Sequence, residues 1–161
     1  MKQKEVHFVY DIYDSIHTLD KADANLLEQA RKNTASAYAP YSEFKVGAAA
    51  LLANGEIVNG SNQENASTPV GLCAERVLLS AISSLFPDIA IQTMAISFHN
   101  MNGASDHPIS PCGICRQTIL EYQLRLKHPI RLILSGMEGV VYVVPDAAQL
   151  LPMSFTSNDM K

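Results

Sequence analysis

The sequence predicts an α/β fold of three layers, in which a central mixed sheet of five strands is covered by helices. Segments with helical spacing alternate with short apolar runs, in the order α-β-β-α-β-α-β-β. The first two strands are joined by Asn54-Gly55, a strong hairpin turn, which makes the sheet mixed. Strands interleaved with helices of this length form one sheet with the helices on its faces.

The first helix is predicted from Asp20, a residue type that caps helices, to the residues before Pro40. Residues 44–52 are mostly small and apolar, and residues 56–59 continue beyond the turn as the return strand. This first hairpin is expected to be buried. Its neighbour along the chain is a second helix predicted from about residue 71 to residue 85.

Three strands and one helix complete the predicted order. A strand is predicted at residues 91–99, and a third helix begins near Cys112. The last two strands are predicted at residues 130–134 and 140–144. Residues 1–19 form a lead segment with no clear period, and we assign it no role.

Composition limits the class of protein. A chain of 161 residues with no repeat or linker fits a single domain covering residues 1–161. The net charge of −4 argues against a nucleic-acid partner, because no broad positive field exists to attract phosphates. Charged residues are only 17% of the chain, below the usual quarter, which suggests that part of the surface is buried in an oligomer.

The sequence also predicts a cytoplasmic protein with no membrane partner. Its longest apolar run, residues 46–53, is far shorter than the roughly 20 residues that a membrane-spanning helix needs. Charged residues interrupt the first 14 positions, unlike a secretory signal. Three cysteines are an odd number, which fits a reducing compartment and metal or thiol chemistry better than disulfides.

Two short motifs contain all three cysteines, and each begins a predicted helix. They read CAER at residues 73–76 and PCGIC at residues 111–115. The partial positive charge of a helix N-terminus stabilises a thiolate, the form that binds metal. Cys112 and Cys115 lie on one face of a first turn, and Cys73 can approach from the facing helix. Three soft ligands suit zinc.

Three protein ligands are typical of a catalytic zinc site, which keeps one position open. Glu75 follows Cys73 by two positions, so it can stand beside the metal and exchange protons there as a general acid and base. Two alternatives remain open from the residues alone. His99 or His107 could complete a closed structural site, or the CxxC pair could be a redox dithiol.

The two motifs match the signature of the zinc deaminases, in which a ligand and a glutamate are followed by PCxxC. Within that superfamily the chain resembles the cytidine deaminases that act on free nucleosides. The resemblance extends from about residue 22 to residue 157. It is carried by YAPYS at 38–42, by Phe44 with VGAA at 46–49, by NQENAS at 62–67, and by Arg116-Gln117 after the second motif. Thr68 departs from the pattern, because an aromatic residue is common there.

The resemblance implies a role for each matching residue. It makes Cys73, Cys112 and Cys115 the ligands of one Zn²⁺ per subunit and Glu75 the proton shuttle. The implied substrate-binding residues are Phe44, Asn62, Glu64, Ala74 and, in a neighbouring subunit's pocket, Phe155. Arg76 is implied to hydrogen-bond the ligating sulfurs from outside the coordination shell, and a homotetramer is implied.

The expected activity is the hydrolytic deamination of cytidine and 2′-deoxycytidine to uridine and 2′-deoxyuridine, with release of ammonia, in pyrimidine salvage. A nucleoside is favoured over a nucleotide because Glu64 would repel a phosphate. One alternative is a related deaminase of another amine, such as an aminopyrimidine antibiotic or a base in tRNA. A second is a non-catalytic binding protein that zinc stabilises.

Overall fold

The computed structural model describes residues 1–161 and contains six strands and three α-helices. The helices are α1 (Lys21–Asn33), α2 (Ala74–Leu85) and α3 (Gly113–Leu126). The strands are β1 (Asp11–Tyr13), β2 (Phe44–Leu52), β3 (Ile57–Ser61), β4 (Ile91–Asn100), β5 (Arg131–Ser135) and β6 (Val141–Val144). None of the helices combines the length and the apolar character that a membrane crossing requires.

All six strands form one mixed sheet in the order β1-β6-β5-β4-β2-β3. Only β4 and β5 run parallel, and the remaining neighbours are antiparallel. The predicted α/β class with a mixed sheet is therefore confirmed. The β2–β3 turn passes through Gly55 at φ +87°, a conformation that glycine adopts without strain.

The predicted count of five strands is wrong, because the lead segment adds β1 to the edge of the sheet. Tyr13 lies opposite Val141, and Asp11 lies opposite Val143. Tyr10 extends this contact, with its ring 4.9 Å from that of Tyr142. A strand of three residues has no room for a repeating apolar pattern, so its pairing with β6 is a tertiary effect.

The sheet lies between two helical layers, as the three-layer prediction requires. Helix α1 covers one face through a cluster that includes Leu27, Ala49 and Ile133. Helices α2 and α3 cover the other face through a larger cluster that includes Leu78 and Ile119. Successive residues of a strand point to opposite faces, so β2 supplies Ala48 to one cluster and Ala49 to the other.

Two glycines let a helix lie directly on the sheet backbone. A Cβ added at Gly47 would be 2.1 Å from the carbonyl oxygen of Ala30 in α1. One added at Gly60 would be 2.6 Å from the backbone of both Ala74 and Leu78 in α2. The start of α2 is therefore held against β3 at a distance that only glycine permits.

Helix α2 begins three residues later than the sequence pattern predicts. The backbones of Gln63 and Leu72 exchange two hydrogen bonds of 2.9 Å, which keeps residue 72 extended. Helix α1 likewise ends at Asn33 and continues only as a 3₁₀ turn over residues 34–36. The later start of α2 comes from a contact between segments, which the periodicity of one segment does not contain.

Candidate functional site

The N-termini of α2 and α3 bring the three cysteines together. Cys73 and Cys112 occupy the cap positions that precede α2 and α3, and Cys115 lies in the first turn of α3. No side chain caps either helix, so the free N–H groups of both first turns leave partial positive charge near the sulfurs. Cys115 is buried and Cys112 is exposed.

The sulfur positions fit one zinc ion. The Sγ atoms of Cys73 and Cys112 are 3.8 Å apart, and those of Cys112 and Cys115 are 3.5 Å apart. Two sulfurs bound at about 2.3 Å to one tetrahedral zinc are about 3.8 Å from each other. All three Sγ atoms lie within 4.8 Å of one another, so a single cation can contact the whole set.

The ionisation of the thiols also favours metal binding. Hydrogen bonding with Cys115 lowers the pKa of Cys73 to about 6, and Cys112 and the charge of Arg76 contribute in the same direction. The same contact raises the pKa of Cys115, because the shared proton stays on its sulfur. One member of the set is thus ready to be a thiolate ligand at neutral pH.

No histidine nitrogen belongs to the sulfur cluster, which argues against a closed fourth position. The ring of His107 instead packs edge-to-face with Phe98, with ring centroids 5.1 Å apart, and its Nδ1 is 3.2 Å from Oδ1 of Asp106. One cavity is lined by Cys73 and Cys112 together with Glu75, Asn62 and Glu64. A simple redox dithiol would give the last three residues no role.

Glu75 lies in the first turn of α2 and is only 5% exposed. Burial raises the pKa of its carboxyl above the ordinary value. A buried carboxyl with a raised pKa can hold a proton at one stage of a reaction and release it at another. Its position next to Cys73 follows from the helix itself, since both belong to the same N-terminal turn.

The cavity in front of the sulfurs has a volume of about 610 Å³, which is within the usual range for small-molecule sites. Its walls come from the 62–75 segment, from Tyr41 and Val46, and from Ile109, Ser110 and Cys112. Four predicted site residues besides the cysteines line it, namely Asn62, Glu64, Ala74 and Glu75. Thr68 forms part of the same wall.

Residues 62–64 are held in place between two other segments. Tyr38 donates its N–H to the carbonyl of Asn62 at 3.0 Å and accepts from the N–H of Glu64 at 2.8 Å. On the other side, Gln63 pairs with Leu72 just before α2. These backbone hydrogen bonds hold Asn62 and Glu64 in the wall of the cavity that also contains Cys73 and Cys112.

The side chain of Asn62 fixes the start of β2. Its Oδ1 accepts from the N–H of Val46 at 2.7 Å, and its Nδ2 donates to the carbonyl of Phe44 at 2.9 Å. An amide oxygen has two lone pairs and an amide nitrogen has two hydrogens. One acceptor and one donor position of Asn62 therefore stay available to a ligand.

Glu64 is bonded to the loop before β2. Its Oε2 accepts from the backbone N–H groups of Tyr41 at 2.9 Å and Ser42 at 3.3 Å, and its Oε1 accepts from the Ser42 hydroxyl. These bonds, led by that from the Ser42 hydroxyl, lower the pKa of the Glu64 carboxyl. The carboxyl is consequently ionised at neutral pH and acts only as an acceptor.

Two predicted substrate-binding residues lie outside the cavity wall. Phe44 stacks on Phe98, with ring centroids 5.0 Å apart, and its position in β2 places it on the same sheet face as Val46, which lines the cavity. Phe155 is 61% exposed and follows the last strand. Its carbonyl accepts from Gln117 at 3.0 Å, which ties the C-terminal segment to α3.

The two arginines that follow the motif cysteines differ in their contacts. The side chain of Arg76 makes no hydrogen bond, and it acts on Cys73 through its charge. Arg116 donates from Nε to the carbonyl of Pro111 at 2.8 Å and from its guanidinium to the carbonyl of Leu150 at 3.1 Å. It thereby fixes the loop that precedes Cys112.

Sequence reasoning assigned no role to Arg116 or Ser42. Both lie in segments that carry the family resemblance. Their place in those segments is the only feature of the sequence that could have pointed to them. Ser42 bonds to the carboxylate of Glu64 and Arg116 to the carbonyl of Leu150, and each of these partners is more than 20 residues away and is brought near only by the fold.

Comparison with known proteins agrees with this geometry. The family described as the cytidine and deoxycytidylate deaminase zinc-binding region matches residues 20–127. A curated cytidine deaminase of Halalkalibacterium halodurans is 35% identical over 84% of this chain and 95% of its own length. One from Mycobacterium tuberculosis is 38% identical over 68% of this chain and 80% of its own.

A solved structure shows the same fold. The crystal structure of cytidine deaminase from Burkholderia pseudomallei superposes with a TM-score of 0.71 at 36% identity, covering 81% of this chain and 97% of that one. The family match extends across α1, the sulfur motifs and the cavity segment. The chain therefore belongs to the cytidine and deoxycytidylate deaminase family and is a zinc-dependent enzyme of that family.

Proposed function

We propose that this protein hydrolyses cytidine and 2′-deoxycytidine to uridine and 2′-deoxyuridine and releases ammonia, a reaction of pyrimidine salvage. The observation that carries the proposal is the cavity of about 610 Å³ in which Cys73, Cys112 and Glu75 meet Asn62 and Glu64. Relatives named cytidine deaminase that match most of the chain support the choice of substrate.

Cys73, Cys112 and Cys115 would hold the zinc ion. When bound there, zinc lowers the pKa of a water molecule at an open coordination position toward neutrality. Arg76 would offset part of the negative charge that three thiolates bring to one divalent ion. That charge acts from outside the set of ligands.

Glu75 moves the protons. Its carboxylate takes one proton from the attacking water and delivers it to N3 of the pyrimidine while the water oxygen adds to C4. The carboxylate then takes the second proton of that oxygen and gives it to the amine as the C4–N4 bond breaks. Ammonia leaves, the carbonyl of uridine forms, and Glu75 returns to its starting charge.

The rest of the cavity would bind the nucleoside. Asn62 and Glu64 are proposed to hold the ribose 3′-hydroxyl, with the backbone near Ala74 against the pyrimidine and Phe44 packing against the nucleoside. The carboxylate of Glu64 is ionised, so a phosphate at this position would be repelled. We therefore propose a nucleoside and not a nucleotide as substrate.

We also propose that the enzyme is a cytoplasmic homotetramer in which Phe155 completes a neighbouring subunit's cavity. Phe155 is exposed and does not line the cavity of its own chain, which supports this role. Sedimentation of the purified protein measures the assembly. Phe155→Ala is expected to raise KM in the tetramer without changing zinc content.

The proposal is tested by following the ultraviolet absorbance of cytidine on mixing with the purified protein. We expect an absorbance decrease from conversion to uridine, its loss after treatment with a chelator, and its return when Zn²⁺ is added. Removal of zinc should also lower Tm, because a metal that binds only the folded state stabilises it. Zinc-loaded protein that leaves cytidine unchanged would contradict the proposal.

A second substrate class follows from one further relative. The blasticidin-S deaminase of Bacillus cereus is 29% identical over 87% of this chain and 96% of its own length. Steady-state rates on cytidine, adenosine and blasticidin S separate the two candidates. A kcat/KM for blasticidin S above that for cytidine would favour the antibiotic.

A further inference from the structure

One hydroxyl group joins Oε1 of the cavity residue Glu64 to the loop before β2, and two backbone N–H groups of that loop bind Oε2. Ser42 Oγ donates to Glu64 Oε1 and accepts from the N–H of Phe44 at 3.1 Å. A hydroxyl group has a single hydrogen, and the ionised carboxylate can only accept. The direction of the Ser42 proton is thus fixed toward Glu64.

The remaining capacity of the carboxylate can be counted. An ionised carboxylate offers about four acceptor positions, two on each oxygen. Both positions of Oε2 are taken by the N–H groups of Tyr41 and Ser42. One position of Oε1 is taken by the Ser42 hydroxyl, which leaves a single acceptor position on Oε1.

We propose that Ser42 is a positioning residue that fixes the carboxylate of Glu64 so that the last acceptor position of Oε1 receives a hydroxyl donor of the substrate. The inference rests on the proposed role of Glu64 in holding the ribose. Without the Ser42 hydroxyl, Oε1 has no partner in the loop, and the carboxylate is held only by the two N–H groups on Oε2. Oε1 can then turn out of the position in which it accepts from the substrate. With Glu64 held by Ser42, the site selects a substrate group that donates a hydrogen bond, such as a free 3′-hydroxyl.

The test combines two substrates with four variants. Ser42→Ala removes the donor and is expected to raise KM for cytidine by about tenfold while kcat stays within about twofold, as for an interaction made equally in the ground and transition states. With 3′-deoxycytidine the KM of Ser42→Ala should equal that of the unaltered enzyme. The discrimination between the two substrates therefore falls about tenfold.

Ser42→Thr keeps the hydroxyl and should restore the discrimination. Ser80→Ala is the matched control, since Ser80 is an exposed residue on the outer surface of α2 with no side-chain hydrogen bond. Tm and zinc content of every variant report whether the fold and the metal set are intact.

A purely structural role for Ser42 would lower kcat/KM for both substrates equally, and that result would overturn the inference. Unchanged discrimination in a folded Ser42→Ala variant would do the same. Glu64→Ala separates the inference from the function on which it rests. If Glu64→Ala also leaves discrimination unchanged, the ribose role of Glu64 is wrong; if only Ser42→Ala does, the role of Ser42 alone is wrong.

Discussion

At the scale of single residues, Glu75 owes its chemistry to its surroundings. It shares a helical turn with Cys73, and burial raises its pKa. An exposed carboxyl of ordinary pKa would remain charged at neutral pH and would donate a proton poorly. Burial thus converts an ordinary side chain into a group that can both take and give a proton.

Glu75→Gln preserves the shape of the side chain but removes its capacity to transfer protons. We expect the variant to keep its zinc and to lose about 10²- to 10⁴-fold in kcat, the usual cost of losing a general acid and base. Glu121→Gln is the control, because Glu121 is an exposed residue of α3 away from the cavity. Metal content and initial rates measure the outcome; near-normal turnover in Glu75→Gln would refute its assignment.

The grouping of the candidate site residues could be predicted where it depends on residue type and spacing. The three cysteines and Glu75 lie at helix starts within two short motifs, and local geometry alone brings Cys112 near Cys115. Ser42 and Arg116 could not be assigned, since a serine or arginine in a motif has many possible partners. The hydrogen bonds of Ser42 with Glu64 and of Arg116 with Leu150 join segments that are distant in the sequence.

At the scale of elements, the placement of α2 depends on the absence of a side chain in β3. Gly60 lies against the backbone of Ala74 and Leu78, at the end of α2 that carries the metal site. Gly47 makes a similar close contact with α1, whose residues do not line the cavity. The two glycines thus form a matched pair with different neighbours.

Gly60→Ala and Gly47→Ala should each lower the free energy of unfolding by about 1–3 kcal/mol, because a methyl group is forced into a packed contact. Only Gly60→Ala should weaken zinc binding, by about 10- to 100-fold, since it displaces the support of Cys73. Urea unfolding and zinc titration measure the two effects. Equal loss of zinc affinity in both variants would contradict this assignment.

Helices and long strands were predicted because their periodicity reflects the faces they bury. The start of α2 and the existence of β1 were not predicted, and both for the same physical reason. Leu72 is kept extended by Gln63, and β1 exists through its register with β6. Pairing between segments decides these bounds, and a window of sequence around either segment does not contain the partner.

In the molecule as a whole, the two edge strands of the sheet, β1 and β3, have different neighbours. β1 covers the edge of β6, whereas β3 lies at the other end, next to α2 and the cavity. The pairing of β1 saturates a backbone edge that could otherwise pair with another chain. Through β1 the lead segment extends the sheet beyond β6, and none of its residues lines the cavity.

Deletion of residues 1–14 should lower the free energy of unfolding by about 1–3 kcal/mol, from the lost cross-strand pairs and the packing of Tyr13. It should also promote self-association through the uncovered β6. Zinc content and kcat/KM should stay unchanged. Deletion of residues 1–5, which pair with no strand, is the control. Light scattering and thermal unfolding give the readout, and loss of activity at full zinc occupancy would contradict the expectation.

The register of Tyr13 with Val141 also sets an order of events during synthesis. In chain order β1 precedes strands β2 to β5, and its partner β6 follows all of them. A domain generally folds as a unit. A nascent chain that ends before residue 141 therefore holds β1 without its partner, and the sheet can be completed only after β6 has been made.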